Sequence, residues 1–172
     1  MSTTESPSYL QQYGAILNWL SVRFALLGGL VIAILATVTV TSVIGRTFFN
    51  SAILGDFEIT EIGLAVAIFF FLPYCQLQRE HIVIDFFTMR ASTRTKAILD
   101  AFGHLVFSLL VALLVWRLFI GGLDKYEYNE SSMLLEIKAW WGYVPVVLST
   151  ALFFLTSVYN LLCDLHTVAE NK

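Results

Sequence analysis

Charge is scarce in this chain of 172 residues: only 13% are Asp, Glu, Lys or Arg, where soluble domains carry about 25%. With 58% of residues hydrophobic, that scarcity excludes an ordinary water-soluble globule. Basic residues are few and dispersed, 10 Lys and Arg against 13 Asp and Glu for a net charge of −3. Without a basic cluster, nucleic acid is not a partner. Cysteine is limited to Cys75 and Cys163, with no CxxC pair and no Cys/His spacing for zinc, so both read as packing thiols, and the paired periplasmic cysteines that a four-span thiol oxidase needs are lacking. HExxH motifs, glycine-rich phosphate loops and nucleophile–base pairs are also missing. Neither an enzyme nor a cofactor is expected.

Long uncharged runs are what the chain has instead. They cover residues 24–45 (22 residues), 62–78 (17), 101–116 (16) and 139–163 (25), and a membrane-crossing helix needs roughly 17–25 apolar residues. The run after Arg23 is too long for a signal peptide and lacks a small-x-small cleavage site, so it reads as a retained span. Before it, Leu10, Tyr13, Leu17, Leu20 and Phe24 recur at three- and four-residue spacing, with Ser6 and Pro7 as N-cap and first helical residue. The expected fold is an all-α integral membrane domain over residues 1–172. It has four transmembrane helices at about 24–45, 59–78, 98–121 and 139–163, preceded by an amphipathic interfacial helix at about 7–22.

Orientation follows from Lys and Arg. With the N-terminus inside, Arg23, Arg79, Arg90, Arg94, Lys96 and Lys172 lie inside, and Arg46, Arg117, Lys125 and Lys138 lie outside. Six against four predicts cytoplasmic termini. The tryptophans and tyrosines fall near span ends or outside spans, as amphipathic rings in the headgroup zone do. Pro73 leaves the Phe69 carbonyl without its helical donor and should bend the second span. Pro145 sits where a first helical turn tolerates proline. Thr93 to Asp100 runs directly into the third apolar stretch, so that helix should begin ahead of the membrane. Gly28, Gly29 and Ala33 suggest one close-packing face on the first span.

Ionisable groups inside spans are the usual functional candidates in membrane proteins. Here the deepest is Arg117, for which an ion pair with Glu58 or Glu61, or snorkelling, is expected. His104 has Asp100 one turn earlier as its simplest partner. A haem or quinone anchor of a respiratory complex is the alternative reading, but His104 with His81 or His166 would give only a shallow site. A self-sufficient ion-coupled transporter places an ionisable group or an unwound helix near the midplane, and no such acid occurs here. The residues point to an accessory subunit packed against something larger.

Three stretches carry a family resemblance. RTFFN (Arg46 to Asn50) closes the first span, FEITE (Phe57 to Glu61) opens the second, and PYCQLQREHIVIDFF follows with His81 and Asp85. Together with NESSMLLEIKAWWGYV before the fourth span, they resemble the small membrane subunit (DctQ-like) of TRAP, tripartite ATP-independent periplasmic, transporters. The chain departs from the family pattern at Arg79-Glu80 before the histidine and at Lys138-Ala139 before the tryptophans, which bears on local turn geometry.

The resemblance implies a division of labour. A periplasmic solute-binding protein captures an organic anion, usually a carboxylate, and a large multi-span subunit carries substrate and sodium in an elevator-like movement. The small subunit is static: it braces the large one among membrane lipids in the bacterial inner membrane and adds surface for the binding protein. By this resemblance Arg46, Asn50, Glu58 and Glu61 form a hydrogen-bonded cluster against the large subunit, with Arg117 close by. His81 and Asp85 order the turn after the second span, and Asp124, Glu127 and Glu130 are candidates for docking the binding protein.

Overall fold

A single segment in lipid must satisfy its own backbone, and only a helix does so with each N–H bonded four residues back. The computed structural model describes residues 8–51, 53–78 and 93–170, with side chains over 12–51, 53–78 and 102–165. It folds into α1 (Ser8–Phe49), α2 (Asp56–Leu77), α3 (Thr93–Glu127) and α4 (Trp140–Glu170). All four are long and apolar enough to cross a membrane. Among the described residues there is no strand, only an isolated antiparallel bridge between Ser131 and Lys138.

The expected change from interfacial helix to span near residue 23 has no counterpart in the backbone. Residues 8–49 form one unbroken helix, because no proline interrupts them. At 42 residues it is about 63 Å long, twice the roughly 30 Å hydrocarbon core. α3 begins at Thr93, ahead of the apolar run. Pro145 is the sixth residue of α4, beyond the first turn, so it removes the helical donor to the Trp141 carbonyl.

The helices pack in the order α1, α2, α4, α3, with α4 between α2 and α3. α1 runs antiparallel to α2. Phe24 meets Phe70 edge-on with ring centroids 5.0 Å apart, and Gly28 admits the Ala67 carbonyl and Phe70 at distances a Cβ would crowd. Gly29 does not share that face, since nothing lies within 4 Å of where its Cβ would be; adjacent helix positions point about 100° apart. α3 runs antiparallel to α4, with Phe107 edge-on to Phe153 at 5.7 Å. Most of the remaining apolar surface, including Leu26, Leu30, Leu109 and Leu113, faces outward.

α4 is the most buried helix, and its buried face is polar. Ser149 donates to the Phe69 carbonyl of α2 across 2.6 Å, supplying the donor that Pro73 removes. Ser157 and Ser108 of α3 share a hydrogen bond of 2.8 Å, and Asn160 donates to the Gln76 carbonyl at the end of α2 across 2.6 Å. Asp164 meets Nδ1 of His104 at 2.5 Å. The expected partner of His104, Asp100, has its side chain outside the described residues; the described carboxylate beside His104 comes from the neighbouring helix. Such contacts hold helices together where lipid removes the hydrophobic drive for association.

Candidate functional site

The distinctive surface lies at the end where α1 passes into α2 and α3 into α4. Asp56 organises the first connection. Its Oδ2 accepts from the Ser42 hydroxyl at 2.5 Å and faces Nη2 of Arg46 at 3.6 Å, while Oδ1 accepts the Phe57 N–H at 2.9 Å. A carboxylate in the first turn of a helix also meets the positive end of its dipole. The Arg46 guanidinium lies 6.0 Å from the centroid of the Phe57 ring. Gly55 precedes with φ 75, and a Cβ there would overlap Leu135.

Asn50 acts through its backbone. Its φ of 50 turns the chain so that the Ser51 N–H reaches the Gly45 carbonyl at 3.1 Å and closes α1. Glu58 faces away from Asp56, because two helix positions lie about 200° apart. Its carboxylate accepts the N–H of Leu134 at 2.8 Å and of Leu135 at 2.9 Å. That grip holds the tip of the α3–α4 connection against α2.

The connection has its own hydrogen bonds. Ser132 N–H donates to the Ile137 carbonyl at 2.9 Å, Ala139 N–H to the Glu130 carbonyl at 3.0 Å, and Ile137 N–H to the Ser132 hydroxyl at 3.1 Å. Lys138 donates to the Asn129 amide oxygen at 2.6 Å, and Lys125 pairs with Glu130. The rigid tip nevertheless displays Met133 at 97% exposure. Beneath it, between α2 and α3, opens a cleft of about 920 Å³ with a mainly apolar lining. Glu58 and Glu61 stand on its α2 wall, Leu118 on α3, and Gly142 and Val146 on α4.

A family model for the tripartite ATP-independent periplasmic transporters, DctQ component, matches residues 35–167. The chain belongs to the DctQ family. Neither a curated protein nor a solved structure gives a match. DctQ membership makes it a small membrane subunit of a TRAP transporter, a multi-pass protein of a family that works with a large membrane subunit and a periplasmic binding protein.

In this DctQ-family chain the four residues expected to cluster do not all meet. Arg46 joins Asp56 and Ser42, Asn50 shapes the end of α1, Glu58 grips the loop, and Glu61 faces the cleft. Arg117 is exposed on α3 and has no ion pair with Glu58 or Glu61 among the described residues, since the Glu58 carboxylate is occupied by backbone amides. Asp124 and Glu127 are exposed in the last turn of α3, and Glu130 is exposed beside Lys125. His81 and Asp85 lie outside the described residues. Sequence reasoning passed over Asp56 and the polar face of α4. A signal for the latter existed, because Ser149, Ser157, Asn160 and Asp164 recur at intervals of three, four or eight, close to whole helical turns.

Proposed function

We propose that this protein is the static, non-catalytic subunit of a sodium-coupled TRAP transporter for carboxylate anions in a bacterial inner membrane, with both termini cytoplasmic. The DctQ-family match over residues 35–167 carries this reading. The disposition of polar groups supports it: the buried hydroxyl, amide and carboxylate groups of α4 bond to α2 and α3, which suits a brace better than a solute path. The six-to-four distribution of Lys and Arg supports the orientation. The first turns of α1 then continue beyond the membrane core on the cytoplasmic side, as an extension of the span in place of a separate interfacial helix.

The end carrying Arg46, Asn50, Glu58 and Glu61 faces the large subunit in this reading, with Arg117 nearby and with His81 and Asp85 ordering the cytoplasmic turn after α2. Asp124, Glu127 and Glu130 offer an acidic periplasmic surface to the binding protein. The test is uptake of a labelled carboxylate into proteoliposomes under an inward sodium gradient. Uptake should require the large subunit and the binding protein together with this chain, and should collapse without sodium. Uptake by this chain alone would overturn the assignment.

A further inference from the structure

The connection between α3 and α4 does not rise away from the bundle. Its tip is bonded to Glu58 in the first turn of α2, and Leu135 lies against Gly55. Gly142, near the start of α4, meets Ile62 one turn deeper on α2, which puts Trp140 within about 3 Å of the Glu58 level along the helix axes. Trp140 packs edge-on with Tyr126 at 5.5 Å and with Trp141 at 6.1 Å, and grouped tryptophan and tyrosine mark the headgroup zone of a bilayer. The tip therefore lies at the depth of the membrane surface.

What it shows there is apolar. Met133 and Leu134 protrude from the tip, and Leu54 and Phe57 are exposed on the segment it rests against. Below Met133 the apolar lining continues through Ile62 and Leu118 into the spans. The backbone is prepared for the same medium: the Ser132 N–H is taken by the Ile137 carbonyl, and those of Leu134 and Leu135 by Glu58. Solvent would serve these amides in water, whereas lipid leaves any unbonded amide at a heavy cost. Shape separates lipid from protein as the covering medium. Met133 stands proud of its neighbours, and a protruding, unbranched side chain is covered by a fluid leaflet without a matching pocket. Exposed Glu130, Glu136 and Lys138 on the same connection confine the contact to the interfacial zone.

We propose that Met133 and Leu134 anchor the α3–α4 connection in the lipid leaflet at the loop-bearing end, so that this connection lies on the membrane surface instead of in solution. The assignment needs only the four spans and stands apart from the transport reading. It is tested by spin-labelling Met133→Cys and Leu134→Cys, one at a time, with Cys75 and Cys163 replaced by alanine and Glu127→Cys as the control. The chain, with the subunits that co-purify in gentle detergent, is returned to vesicles of phosphatidylethanolamine and phosphatidylglycerol. Collision of each label with oxygen, which concentrates in lipid, is then compared with collision with a water-soluble nickel chelate. Labels at 133 and 134 should favour oxygen, and the label at 127 should favour the chelate. A preference for the chelate at 133 and 134 would put the tip in water and overturn the proposal. Shielding of both labels from both reagents would overturn it in favour of a protein cover.

Discussion

Ser149 on α4 donates its hydroxyl hydrogen to the Phe69 carbonyl of α2 across 2.6 Å, and Phe69 is the residue four before Pro73. The proline that weakens α2 therefore strengthens its contact with α4. A helix break in lipid is tolerated where a neighbouring side chain satisfies the freed group, and here the donor is a fully buried serine.

Removing that donor has a background-dependent effect. Ser149→Ala should cost about 1 kcal/mol, read from thermal melting in detergent. In a Pro73→Ala background the residue at 73 regains an N–H that can serve Phe69, so Ser149→Ala should cost close to nothing there. Equal costs in the two backgrounds would show that the two residues are not coupled.

The pair of His104 and Asp164 should behave as a unit. Both side chains are nearly buried, at 9% and 10% exposure, so Asp164→Ala takes away a buried contact to the imidazole, at a cost of about 1–3 kcal/mol. Replacing both with leucine removes the two buried polar groups together and should be milder than Asp164→Ala alone. Melting temperatures of the single and double variants decide this, and a double variant that melts lower would reject it.

The four spans were legible because charge-free length is a property of sequence alone, and Pro73 marked the Phe69 carbonyl as needing a donor. What supplied it was not legible, since a serine 80 residues away becomes a neighbour only once α4 packs parallel to α2. The roles of the charged residues failed for a related reason. In sequence Glu58 and Glu61 read as one cluster with Arg46 and Asn50, but helix geometry sends Asp56 toward α1, where Arg46 meets it, and Glu58 and Glu61 toward the cleft side. α1 runs unbroken past residue 23, where a change of helix was expected, because a change in amphipathic pattern is a statement about surroundings and no proline interrupts the segment.

Gly55 is constrained twice, by φ 75 and by the Leu135 side chain. Gly55→Ala should therefore destabilise by about 1–2 kcal/mol, through a left-handed backbone and a steric overlap acting together. Adding Leu135→Ala relieves only the overlap, so thermal melting should show Gly55→Ala costing less in that background than in the wild type. An identical cost in both would mean that the backbone conformation alone accounts for the requirement.

The Glu58 grip makes the most local prediction. Its two oxygens accept the N–H groups of Leu134 and Leu135, and hydrogen bonds to a carboxylate are among the stronger ones. Glu58→Ala should speed exchange at those two amides about tenfold. The Ser132 and Ala139 amides, bonded within the connection itself, should change little. Helix packing does not depend on Glu58, because the Ser149, Ser157 and Asn160 contacts lie elsewhere, so the melting temperature should barely move. Hydrogen exchange with residue-level resolution separates these outcomes: uniform acceleration through α2 and α4 would make Glu58 a general stabiliser, and no acceleration at Leu134 or Leu135 would mean that the tip is held by its own hydrogen bonds.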